Sequence, residues 1–70
     1  MFEQGMRVRI KETAFGDSQE PADVYARGKV GTLVREEDDR LWLWRDEAGH
    51  EAFPVEDELV LLPPSDGRRP

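Results

Sequence analysis

Tyr25, Arg27 and Lys29 alternate along "VYARGKVGTL", with Gly28 between the two cations and Gly31 just beyond them. Three kinds of chemistry use such residues. An arginine presents a rigid fork of donors to a carboxylate, a carbonyl or an oxidised sulfur. A Gly-Lys pair can cradle a phosphate, and basic strands can track a nucleic-acid backbone. The phosphate reading fails locally, because Val30 follows the lysine where a phosphate-binding loop needs Ser or Thr. Gly28 suits a positive φ at a loop exit, and Gly31 leaves room for a backbone or a bulky ring to approach a sheet. Those backbone roles account for both glycines. They leave Tyr25, Arg27 and Lys29 as candidates for binding a partner.

In "LWLW", alternation sets Trp42 and Trp44 on one face and Leu41 and Leu43 on the other. Both faces cannot be deep core in a body this small. Outside, the two indoles would form an apolar patch of the kind that marks a binding surface, so Trp42 and Trp44 join the partner-binding candidates. Inside, they would pack under a long loop or against Phe53. His50, the single histidine, sits in a glycine-containing turn and reads as a surface residue. Glu36, Glu37, Asp38 and Asp39 lack the alternating ligands and glycine of a calcium loop, so they read as a solvated hairpin tip. Asp57 and Glu58 read as a cap on a last turn or as ion-pair partners. With no metal-ligand cluster and no nucleophile–base–orienter set, the expectation is a non-enzymatic chain without cofactor or metal.

The elements that position these residues are short. "MRVRIK" alternates as a half-buried strand, with Met6, Val8 and Ile10 on one face. A polar stretch from about Glu12 to Arg27 follows, lacking sustained periodicity, where Pro21 would limit any helical turn capped near Ser18. "KVGTLVRE", "RLWLWRD", "EAFPV" and "LVLL" read as four more strands, with one helical or 3₁₀ turn over "EDE". Pro54 ends the fourth strand or pushes it to an edge. Five short strands, a long first loop and a one-turn helix before the last strand predict an all-β fold, a small SH3-like partly open barrel over residues 1–62. The Pro/Gly-rich tail, residues 63–70, is expected to be disordered.

Seventy residues without cysteine hold one small domain whose stability comes from packing, with no room for a large enclosed active site. "MFEQGMRVRI" has no long apolar run, so neither signal peptide nor membrane helix is expected and the cytoplasm is the default location. A net charge of -6 opposes non-specific nucleic-acid binding. The charge is uneven: residues 1–35 carry six basic and five acidic side chains, residues 36–70 four and eleven. A locally positive face is compatible with that division.

"FEQGMRVRI", the loop with Pro21, "YARGKVGTL" and the closing "DELVLL" together resemble the C-terminal domain of the nitrile hydratase beta subunit. Phe2, Gly5, Val8, Arg9, Pro21, Tyr25, Arg27, Gly28, Lys29 and Gly31 match that family's pattern. The Pro-to-Tyr interval is longer here, and Met6 stands where the family usually has Asp. The family's His-x-Arg before the proline is missing, as is its longer insertion after the second strand. The same barrel occurs in photosystem I subunit IV and in the ferredoxin-thioredoxin reductase variable chain. The resemblance implies an accessory subunit whose partner holds the metal or redox centre, with Arg27 as an inter-subunit contact. "GKVGTLV" also resembles the turn of KOW modules, small barrels of ribosomal and transcription proteins. That alternative implies a basic RNA-facing surface built from Arg7, Arg9, Lys11, Arg27, Lys29 and Arg35. A weak homodimer closing a free strand edge is compatible with the first reading.

Overall fold

Val8 and Ile10 are fully buried while Arg7 is exposed, so the first alternating run forms β1 (Arg7–Ile10) with one face in the core. The computed structural model describes residues 2–62; the tail expected to be disordered lies outside the described residues. β1 pairs antiparallel on both sides, with β2 (Val30–Asp38) and with β5 (Leu59–Leu61). β2 continues into β3 (Leu41–Arg45), and β3 pairs with the two-residue β4 (Glu51–Ala52). The sheet order is β4-β3-β2-β1-β5, with a 3₁₀ turn at Glu56–Glu58 entering the last strand. Five antiparallel strands in that order make an SH3-like, partly open barrel. Among the described residues no helix is long and apolar enough to cross a membrane.

The core gathers Val8, Ile10, Ala14, Ala26, Leu33, Trp42, Trp44, Ala52 and Leu59, with Phe2, Met6 and Phe15 packed at its margin. Both tryptophans are therefore inside. Trp44 is 0% exposed and Trp42 4%, and Leu43 on the opposite face is also only 4% exposed. The expectation that one face of β3 must be open is corrected. β2 slips register against β3 twice, between Leu33 and Arg35 and between Glu36 and Asp38. Such bulges bend and twist the strand, which curls the long hairpin over its own indoles. Phe53 is not part of the core cluster that covers the indoles and is 53% exposed. Pro54 is fully buried instead, and its carbonyl accepts the Trp42 amide at 2.9 Å. The fourth strand is thus shorter than "EAFPV", reduced to Glu51–Ala52 with an isolated bridge from Val55 to Leu41.

The stretch from Glu12 to Arg27 is not structureless. Pro21 opens a six-residue helix, α1 (Pro21–Ala26), at a position where the missing amide costs nothing. A helix this short is unstable alone, and burial of Ala26 holds it to the sheet. Ahead of it, the Phe15 amide donates to Glu58 Oε2 at 2.8 Å while Ala14 inserts into the core. Glu58 Oε1 accepts the Val55 amide at 3.1 Å, so one carboxylate caps the 3₁₀ turn and pins the long loop.

Candidate functional site

Arg27, the first candidate in the sequence, points into its own loop. Its Nε donates to the Ala14 carbonyl at 2.8 Å, and its terminal nitrogen to the Ser18 and Gly16 carbonyls at 2.8 and 3.3 Å. The guanidinium fork closes residues 14–18 against the end of α1, which commits three of its five N–H groups within the chain. Trp42 and Trp44 leave the candidate surface as well. Trp42 Nε1 donates to Glu56 Oε2 at 2.9 Å, and Trp44 Nε1 is buried with no hydrogen-bond partner among the described residues.

The two glycines are fixed by geometry. Gly28 has φ +78°, and a Cβ there would run into the Glu12 carboxylate. Gly31 lies under Trp44, where a Cβ would sit 2.5 Å from indole Cε2 and 2.6 Å from the Arg45 carbonyl oxygen.

Tyr25 and Lys29 remain at the surface, and the fold joins them to residues that the sequence did not single out for them. The Tyr25 hydroxyl donates to Asp46 Oδ2 at 2.6 Å, across 21 residues of chain. Its ring stacks on His50, with centroids 3.9 Å apart and planes at 27°. Lys29 Nζ lies 4.8 Å from the same ring's centroid and donates to the Tyr25 carbonyl at 3.3 Å. Asp46 Oδ1 accepts the Ala48 and His50 amides at 3.0 and 2.9 Å, so the carboxylate also builds the β3–β4 turn. His50 Nδ1 stands 3.6 Å from that oxygen. The result is a clasp between α1 and the β3–β4 turn.

Charge is stored in it. The Tyr25 hydroxyl, and behind it the two turn amides and His50, hold the Asp46 carboxyl below its ordinary range. The same hydrogen bond, with burial and the Asp46 charge, pushes the Tyr25 phenol above its own. One neutral donor and one anion are thereby locked together across the neutral pH range.

Beside the clasp an open groove of about 610 Å³ crosses the outer face of the sheet. Val30, Thr32 and Val34, all half-buried, come from the outer face of β2, opposite core-facing Leu33. Arg7, Thr32 and Arg45 are neighbours in one row across β1, β2 and β3. Tyr25 and Lys29 border the groove, as do Asp46 and Glu47. The fold thus brings together two of the sequence candidates, Tyr25 and Lys29, and separates them from Arg27, Trp42 and Trp44. Asp46 was the missed residue. Its place four positions before His50, with Gly49 between, is a readable turn signal, but nothing local names Tyr25 as its partner.

Among the described residues no group of three or more His, Asp or Glu side chains is placed to hold a metal ion. Comparison with protein-family models, with curated proteins and with solved structures finds no match to this chain.

Proposed function

We propose that this chain is a non-catalytic protein-interaction module, an accessory barrel of the nitrile-hydratase-beta-like kind, which docks its partner along the groove beside Tyr25 and Lys29. One observation carries the reading: the groove is framed in advance. Its border is fixed by the Tyr25–Asp46 hydrogen bond, and its floor is a β-sheet, so little ordering cost remains for binding. The resemblance around "YARGKVG" supports an accessory role. In this reading the contact passes through Lys29 and the border of Tyr25, while Arg27 serves by holding the first loop.

Thr32 lies mid-row between Arg7 and Arg45, so Thr32→Arg would fill the groove from its floor without touching the core. Affinity capture from a nuclease-treated lysate of the source organism is expected to yield an identifiable protein with the wild type and to lose it with Thr32→Arg. Retention of that protein by the variant would remove the groove from the interaction. Capture that vanishes with nuclease would transfer the chain to the KOW-type, RNA-associated reading.

A further inference from the structure

We infer that the occupant of the groove is an acidic, extended segment of a partner protein, whose carboxylates meet Arg7 and Lys29; this rests on the reading of the groove as a docking surface. The distribution of pairing carries it. Arg35 is paired with Glu37 at 2.6 Å, Arg45 with Glu51 at 2.6 Å, and Arg40 with Glu56 and Asp57 at 3.6 Å each. Arg27 gives three of its five N–H groups to loop carbonyls. Arg7, Arg9, Lys11 and Lys29 have no carboxylate partner among the described residues. Of these, Arg7 and Lys29 line the groove, in a chain with 16 acidic and only 10 basic side chains. Where carboxylates are in such surplus, cations gathered on one face without partners are complementary to an anion from elsewhere.

The groove also holds acidic groups of its own. Asp46 and exposed Glu47 line it as well, Asp46 against the same Tyr25 ring that Lys29 covers. Asp46 is spent on Tyr25 and the turn amides, its side chain 8% exposed, which leaves Glu47 as the charge that meets a ligand there. A bound segment therefore presents its carboxylates to Arg7 and Lys29 and keeps them clear of Glu47. Val30, Thr32 and Val34 offer alternate side chains of an extended segment a half-apolar floor.

A nucleic acid fits this face poorly. Single strands need open rings for stacking, and Tyr25, the ring at the border, is already covered by His50 and Lys29. The exposed hairpin tip Glu36, Glu37, Asp38 and Asp39 repels phosphates at longer range.

The test is an amide NMR titration of the full chain with a short synthetic peptide alternating Glu and Val. Three references accompany it: the same peptide with Gln for Glu, a single-stranded RNA oligonucleotide, and the protein alone across a concentration range. Shifts are expected at Lys29–Val34 and Arg45–Ala48 with the Glu peptide. The Gln peptide, and the Arg7→Glu/Lys29→Glu variant, are each expected to bind about tenfold more weakly. Lys11→Glu, a charge reversal at a residue that does not line the groove, is expected to bind as the wild type does.

Equal binding of both peptides would overturn the inference, as would the absence of any binding. Stronger shifts with RNA at the same amides, or concentration-dependent shifts of the protein alone, would replace the occupant by a nucleic acid or by a second copy of this chain. If the Glu peptide fails while Thr32→Arg still abolishes capture of a protein, the acidic class falls and the docking module stands.

Discussion

At the scale of single residues, one hydrogen bond organises the surface that matters. Tyr25 is the chain's only tyrosine, so its ionisation can be followed by tyrosinate absorbance without interference. The Asp46 carboxylate raises the phenol's midpoint, and Asp46→Asn is expected to return it toward the ordinary value of about 10. An unshifted midpoint in the wild type would mean that the clasp is open in solution. Gly31 makes a second residue-scale prediction. An alanine there must displace the Trp44 indole or the Arg45 carbonyl, so Gly31→Ala is expected to cost about 1–3 kcal/mol in denaturant unfolding. The room that Gly31 leaves for a bulky ring is readable in the sequence. That the ring is Trp44 is not, because it depends on how β2 and β3 pair.

At the scale of elements, the alternation of Val8 and Ile10 with Arg7 and Arg9 was enough to place β1, and "EDE" was enough to place the 3₁₀ turn. The first loop was less legible. Its order comes from contacts with residues far along the chain: Glu58 on the Phe15 amide, and Ala14 in a core cluster with residues of all five strands. Pro21 read as a limit on helix and serves as its first residue, because the same fixed φ that breaks a helix interior suits its start. Arg27 completes the loop. Arg27→Ala is expected to destabilise the fold by about 1–3 kcal/mol and to speed amide exchange across residues 12–20. Arg27→Lys is expected to recover little of this, since one ammonium cannot reproduce the planar fork that reaches Ala14, Gly16 and Ser18 together. Unchanged exchange in Arg27→Ala would show that the loop is held by Glu58 and Ala14 alone.

At the scale of the whole molecule, the tryptophans are the largest departure from the alternating pattern. Trp42, Leu43 and Trp44 are all buried, although they alternate between faces. A small barrel achieves this by bending one long hairpin at two bulges, a property of pairing that no single strand displays. The consequence is that the broad aromatic surface goes to stability, and the proposed docking face is a sheet face with a charged border.

That border depends on pH. The folded Asp46 carboxyl sits below its unfolded value, so its stabilisation is present above the ordinary carboxylate range and is lost as pH falls through the lowered value. The Tyr25 phenol sits above its unfolded value, so its share is present below the ordinary phenol range and is lost as pH rises through the raised value. Stability measured against pH is expected to fall at both ends for the wild type, and both falls are expected to be smaller in Asp46→Asn.

The most direct test of the groove as docking face is site-specific photo-crosslinking in the source cell. A photoreactive residue at Val34, in the groove, is compared with one at Phe53 and one at Leu61, both exposed and outside it. The account expects a discrete protein adduct from Val34 and none from the other two. Adducts from Phe53 or Leu61 with a silent Val34 would contradict it and move the interaction to another face of the barrel.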